Sequence, residues 1–277
     1  MGPPEVLSPA GGRAPAALTI AGSDSGGGAG IQADLACFLA LGVHGTSALT
    51  ALTAQNTLAI SGVHQVPPAF VGEQIRQVAA DFDIAAVKSG MLASAATVRA
   101  VAAAVTASHL RHLVVDPVLI ATSGTRLLAH EAEQALTAAL FPRALVVTPN
   151  LDEAEALAGG TVRDLAGMRE AARRLHGREA GGPAWVLVKG GHLEGRPVDV
   201  LFDGASFYEF GGERIDSPYL HGTGCILSAA ITAHLARGAS VPDAVGLAKE
   251  HVAGAIRHGR DVGARGCADP AWNLQRP

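Results

Sequence analysis

Ala16-Ala17-Leu18-Thr19-Ile20-Ala21-Gly22 runs into Ser23-Asp24-Ser25-Gly26-Gly27-Gly28-Ala29-Gly30-Ile31-Gln32-Ala33-Asp34. The first seven residues read as a short buried strand. The glycines that follow form a loop, and the spacing predicts a helix from there to about Leu41. Strand, glycine loop and helix in this order make the usual α/β site for a ligand, at the strand's C-terminal end. The loop is not a phosphate loop of the Gly-Lys-Ser/Thr kind, because no such triplet follows. It is not the dinucleotide fingerprint either, since Gly26-x-Gly28 needs a glycine where Ile31 stands. A plain turn is the competing reading of the loop alone. Ser23, Asp24 and Asp34 add polar side chains beside bare backbone, which suits a small polar ligand.

The same grammar recurs along the chain. Val43 to Gln55 is strand-like near its end and closes on Thr53-Ala54-Gln55-Asn56-Thr57, with a second short strand over Leu58 to Val66. Pro67-Pro68 opens a helix to about Asp81, and Ile84 to Met91 is a strand ending in a loop. Ser94 is the expected N-cap of a helix to about Ser108. Leu113 to Val118 carries Asp116 at its end, a common way to present a carboxylate to a metal or phosphate. A helix is expected over Glu131–Leu140, then a strand over Leu145–Asn150. Asn150 and Glu153 open the next helix, where they make either a capping box or a metal-facing pair. An amphipathic helix spans Asp164–His176, and Ala184–His192 is a buried strand into a glycine turn. Val198–Phe202 and Ser206–Phe210 form a hairpin through Asp203-Gly204.

His221-Gly222-Thr223-Gly224-Cys225 then precedes an Ala-rich helical run, and a last helix spans Pro242 to about Arg260. A helix N-terminus has uncovered N–H groups and partial positive charge, so it cradles an anion. Cys225 falls in the first turn, where the same field favours a thiolate. The alternative is a glycine turn beside a buried cysteine. Strands alternating with helices predict a mostly parallel sheet covered on both faces. In such a sheet, Gly22, Gln55, Asp116, Asn150, Gly190 and the 221–225 motif gather at one edge. That convergence points to an enzyme.

Composition narrows the class. The chain has 277 residues and is 48% hydrophobic but only 4% aromatic, so its core is built from Ala, Val, Leu and Ile. Net charge is −4, without the basic patch of a nucleic-acid surface, and few aromatics are available for base stacking. Cys37, Cys225 and Cys267 are far apart and form no CxxC pair, so a zinc or disulfide framework is not expected and a reducing compartment is. No run of about 18 apolar residues or secretory leader is visible, so no membrane role is expected and the cytoplasm is the expected location. Residues 1–15 read as a disordered tail rich in Pro, Gly and Ala, ahead of a single domain over 16–277.

Taken together, the segments 21–34, Thr50–Thr57, Lys88-Ser89-Gly90-Met91, Val115–Val118, Thr148–Ala154, Lys189–His192 and His221–Cys225 resemble the ribokinase-like superfamily. Within it they are similar to the hydroxymethylpyrimidine/phosphomethylpyrimidine kinases of thiamine biosynthesis. The resemblance implies a ribokinase-like three-layer α/β/α sandwich, usually a homodimer. It implies an ATP- and Mg²⁺-dependent kinase that phosphorylates 4-amino-5-hydroxymethyl-2-methylpyrimidine, then its monophosphate. By the same resemblance Gly22, Asp34, Gln55 and Met91 face the pyrimidine. Asp116, Asn150, Glu153 and Lys189 face the nucleotide phosphates, with Asp116 and Glu153 toward the metal. Gly222, Thr223 and Gly224 form the anion hole, and Cys225 stands where most of the superfamily has an aspartate base. Pyridoxal or pyridoxine kinase and a non-catalytic pyrimidine-binding regulator are the competing readings.

Three segments depart from the family pattern. Ala121-Thr122-Ser123-Gly124 lacks a lysine that relatives place before the Ser-Gly, Ser217-Pro218-Tyr219-Leu220 replaces a Thr/Lys/Asn stretch, and Gly263–Pro270 replaces a Gly-Pro-Val-like end. Arg265 is a candidate to supply the missing cation.

Overall fold

The computed structural model describes residues 14–119, 130–179 and 181–274. Most of the 1–15 tail and the whole Ala121–Gly124 departure lie outside them.

The chain runs β1 (Ala16–Asp24), α1 (Gly30–Ala40), β2 (His44–Gln55), β3 (Ile60–Gln65), α2 (Pro68–Asp81), β4 (Ile84–Ser89), α3 (Ala95–Ala107), β5 (Leu113–Val115) and α4 (His130–Ala135). It continues through β6 (Val146–Val147), α5 (Leu151–Ala158), α6 (Leu165–His176), β7 (Trp185–Val188), β8 (Val198–Phe202), β9 (Phe207–Gly211), α7 (Thr223–Ala236) and α8 (Val241–Arg257). Among the described residues, nine strands form one sheet in the order β3-β2-β1-β4-β5-β6-β7-β8-β9. Strands β2, β1, β4, β5, β6 and β7 pair in parallel. The two ends of the sheet are antiparallel: β3 on β2, and β8–β9 beyond β7. The physical reason is connection length. Residues 56–59 and 189–197 are too short to carry a crossover helix, so the chain can only turn back.

Two apolar layers sit on the two faces of this sheet. One packs α2 to α6 over residues such as Leu18, Ile20, Val87 and Val115. The other packs α1, α7 and α8 over Ala17, Ala86, Val114 and Leu187. Alternate residues of one strand therefore serve opposite faces, which is why the central strands read as continuous apolar runs. This is the three-layer α/β/α arrangement expected of the ribokinase-like class.

Local expectations hold with small shifts. Ser94 caps α3 by accepting from Thr97 N–H, and Asp164 caps α6 by accepting from Gly167 N–H. The helix expected over Glu131–Leu140 is α-helical only to Ala135 and then widens into an irregular turn before Pro142. Proline at the start of the next turn removes a donor that an α-helix would need.

What positions the site is the order of the sheet's middle. β1 lies between β2 and β4, so connections leave β1 toward one side and return on the other. That reversal opens a crevice at the C-terminal strand ends. Phe38, fully buried on α1, anchors the helix that leads out of this crevice. Phe38→Ala is expected to lower unfolding free energy by about 3–5 kcal/mol in urea denaturation. A loss under about 1 kcal/mol would show that α1 does not depend on this ring.

Candidate active site

The glycine loop and the 221–225 motif meet backbone to backbone. Gly222 is the N-cap of α7 at φ +87° and brings no side-chain acceptor. A Cβ there would also lie 1.9 Å from the carbonyl oxygen of Gly28. On the other side of the contact, a Cβ on Gly28 would strike the His221 ring at 2.6 Å. Asp24 ties the two segments together. Its carboxylate accepts from Gly26 N–H at 2.8 Å, from Ala29 N–H at 3.0 Å, and lies 3.3 Å from His221 Nε2. Burial works against its charge, but His221 and the two amides outweigh it and hold the carboxyl below the usual range.

Around this junction lies one continuous cavity of about 1380 Å³. Gly22, Gln55 and Met91 share one end of it. A Cβ on Gly22 would sit 3.2 Å from Met91 Sδ, a tight contact to which the Met91 side chain would have to give way. Met91 is held in place through its carbonyl by the Thr50 hydroxyl at 2.6 Å. Gln55 is pinned by its backbone to Ser25, its Oε1 lies 3.2 Å from a Thr53 hydroxyl that also donates to the Ser23 carbonyl, and the residue lines the cavity. At the far end, β9, Gly246 and Lys249 line the wall. There Asp199 accepts from Lys249 at 2.6 Å and from Gly190 N–H at 2.8 Å.

Between the two ends stands a charged cluster. Asp116 accepts from Lys189 Nζ at 3.0 Å, and its other oxygen takes the Ser228 hydroxyl at 3.1 Å. Asn150 and Glu153 form a reciprocal capping box on α5. The box does not remove Glu153 from the site, because Glu153 lines the cavity 3.9 Å from Lys189. The capping-box reading therefore holds, and it leaves Glu153 on the cavity wall. Lys189 reaches toward the α7 N-terminus, 3.6 Å from where a Gly224 Cβ would stand.

Two carboxylates here share one ammonium. Burial pushes the Glu153 carboxyl up to about 7; Lys189 opposes that and Asp116 adds to it. Lys189 is itself driven upward, because Asp116 and Glu153 outweigh its desolvation. The excess negative charge suits a divalent cation that arrives with phosphate oxygens. Magnesium takes only one or two protein carboxylates when phosphates complete its shell. Among the described residues, no group of three or more His, Cys, Asp or Glu side chains makes a metal cage by itself.

Three sequence expectations change. Asp34 does not reach the cavity. It is fully buried beneath it, with one oxygen taking the Thr19 hydroxyl and the other Lys88 Nζ, both at 2.6 Å. Cys225 is not a resting thiolate. Burial pushes its thiol up to about 11, although Lys88 and the Gly30 N–H favour the charged form. Desolvation outweighs the helix field that the sequence suggested. Arg265 does not supply a cavity cation; it lines a separate small recess with Pro218, Tyr219 and Asp261. The altered Ser217–Leu220 segment has a packing role as well, since Tyr219 lies where Cβ atoms on Gly259 or Gly266 would clash at 2.3 Å. Lys88, which the sequence marks only as the start of the Lys88-Ser89-Gly90-Met91 segment, is a fully buried part of the cavity wall. Its signal was a lysine inside an otherwise apolar strand, Ile84-Ala85-Ala86-Val87-Lys88.

A family model described as phosphomethylpyrimidine kinase matches residues 24–269. A thiamine biosynthesis bifunctional protein of Geobacter sulfurreducens is 51% identical over 89% of the chain, which spans 50% of that relative's length. A hydroxymethylpyrimidine/phosphomethylpyrimidine kinase of Streptomyces coelicolor is 47% identical over 94% of the chain and 96% of its own length. Among solved structures, the ADP complex of a Bacillus subtilis pyridoxal kinase superposes with a TM-score of 0.85 at 36% identity, covering 94% of this chain and 98% of that one.

The Glu153 environment has a consequence for stability. Its carboxyl titrates higher in the folded chain, about 7, than its ordinary value of 4.5, so the folded state binds the extra proton between these values. Stability therefore falls as pH rises from about 5 toward about 8 in the ligand-free protein. Glu153→Gln is expected to flatten that part of the profile, read as urea midpoints at the two pH values. Equal slopes in both proteins would remove the strain from this carboxyl.

Proposed function

This chain belongs to the phosphomethylpyrimidine kinase family, a family of phosphotransferases in thiamine biosynthesis, and we propose how its cavity carries out the transfer. The acceptor is 4-amino-5-hydroxymethyl-2-methylpyrimidine and then its monophosphate, and ATP is the phosphoryl donor. The observation that supports this most is the single cavity. It has ring-sized polar contacts at one end and room for a nucleotide at the other, with an uncapped helix N-terminus between them.

In this reading Gly22, Met91 and Gln55 receive the pyrimidine. Gln55 supplies an amide that can pair with the ring nitrogen and exocyclic amine edge. Gly222 and Gly224 offer backbone N–H groups to the transferring phosphoryl group, where the α7 dipole adds positive charge, while the Thr223 N–H donates to the Leu220 carbonyl at 3.3 Å. Lys189 stands beside that point and neutralises phosphate charge. Glu153 and Asp116 would hold magnesium, which when bound neutralises charge on the phosphates. Positioning and charge stabilisation dominate phosphoryl transfer, so little covalent chemistry is asked of the protein.

Cys225 is the candidate base. As a resting thiol it first gives its proton to solvent water, and the thiolate then takes the proton of the acceptor hydroxyl as the phosphoryl group is transferred. The Gly30 N–H and the Lys88 charge lower the cost of that step. A loose transition state needs a base late and only modestly, so a thiol with a raised pKa is compatible with turnover. The same reading takes the protein as a cytoplasmic homodimer.

A second reading, pyridoxal kinase, draws on the likeness to the Bacillus subtilis enzyme. The pyrimidine is favoured because the Streptomyces coelicolor relative is 47% identical, against 36% for that neighbour. ADP release measured with ATP, Mg²⁺ and each of the pyrimidine, its monophosphate and pyridoxal decides between them through kcat/KM. No turnover on the pyrimidine compounds would reject the proposal.

Cys225→Ala is expected to lower kcat at least about 100-fold with little change in pyrimidine affinity. Near-normal kcat would remove the base role. Gln55→Ala is expected to raise the pyrimidine KM roughly tenfold, the loss of a buried polar pairing. An unchanged KM would place the ring elsewhere.

A further inference from the structure

Lys88 and Asp34 form a completely buried ion pair, each 0% exposed, with Nζ 2.6 Å from Oδ1. Such a pair is weak support for stability, because two desolvated charges roughly cancel their own attraction. Its orientation is the informative feature. Lys88 lines the ligand cavity and Asp34 does not. Asp34 is fully buried, with its second oxygen occupied by the Thr19 hydroxyl at 2.6 Å. The pair is therefore a fixed dipole set within the cavity wall, with its positive end beside Gly90.

That end lies at the acceptor half. The ammonium is 3.4 Å from where a Gly90 Cβ would stand, and Gly90 is itself a cavity residue. The next residue, Met91, packs against Gly22. On the other side, both charges of the pair are felt at Cys225 with opposite sign, the Lys88 charge more strongly than the Asp34 charge, so the positive end is the nearer one. A charge in a low-dielectric wall acts over several ångströms without touching its target.

The two acceptors of the proposed reaction differ in the property this dipole reads. The alcohol is neutral, whereas the monophosphate brings roughly one and a half to two negative charges to the same place. We propose that Lys88, oriented by Asp34, is a specificity-determining residue that favours the phosphorylated acceptor over the alcohol. Asp34 is then a positioning residue acting through Lys88. This inference rests on the kinase reading given above.

The test replaces both charges together, so that no lone charge is left in the core. Lys88→Met/Asp34→Asn keeps the size of the side chains, and Lys88→Gln/Asp34→Asn also keeps a hydrogen-bonded pair. Circular dichroism and thermal unfolding select whichever variants retain the fold. kcat/KM is then measured for the alcohol and for the monophosphate, each with ATP and Mg²⁺. The expected result is a fall for the monophosphate roughly tenfold larger than the fall for the alcohol. An equal fall for both would assign the pair a structural role only and overturn the inference, as would no fall. Wild-type protein inactive on both acceptors would instead reject the kinase reading, and the inference with it.

Discussion

The close approach of Gly222 to the Gly28 carbonyl is the contact on which the rest of the site depends. A Cβ at Gly222 would lie 1.9 Å from that oxygen, and its φ of +87° disfavours any other residue. The contact sets the start of α7 against the glycine loop that follows β1. Because α7 is buried along most of its length in one core layer, its N-terminus has no freedom to choose another direction. Cys225, Gly224 and their uncovered N–H groups are thereby aimed at the crevice that the β1/β4 reversal opens. Asp24 and His221 fasten the same junction from the side.

Charge is distributed along the cavity in a graded way. Toward the Gly22 end, Lys88 and Asp34 form a balanced, fully buried pair of which only Lys88 belongs to the cavity wall. In the middle, Asp116 and Glu153 outnumber Lys189, and burial, with the Asp116 charge adding to it, pushes Glu153 up to about 7. The β9 end closes with a balanced pair, Asp199 and Lys249. Only the middle cluster is left with an excess, and it is the place where a divalent cation and phosphates would meet. Cys225 sits next to this field yet remains a thiol, because withdrawal from water costs the thiolate more than nearby positive charge returns.

Much of this was legible in the chain alone. The strand–loop–helix order over 16–41, the polar ends at Gln55, Asp116 and Asn150, and the glycines before α7 all follow from local rules that do not require distant contacts. The caps at Ser94, Asn150 and Asp164 are of the same kind, since a side-chain oxygen reaches only its own first turn. Asp34, Cys225 and Arg265 were read differently for a shared reason. Each reading depended on which neighbours from elsewhere in the chain surround the group. Asp34 is taken by Lys88, 54 residues away in sequence. Cys225 is desolvated by packing, and Arg265 is drawn into a recess beside Tyr219.

The sequence by itself determined the alternating α/β order, the edge of the sheet where polar residues gather and the family to which their pattern belongs. Periodicity, glycine and capping residues act within a few residues, so a linear reading captures them. The tertiary structure alone decided that one cavity joins both ends, that Glu153 both caps α5 and lines that cavity, and that Lys88 rather than Asp34 belongs to the cavity wall. Burial, dielectric and the direction of a side chain are properties of packed neighbours, and these are set only when the sheet order brings distant strands together.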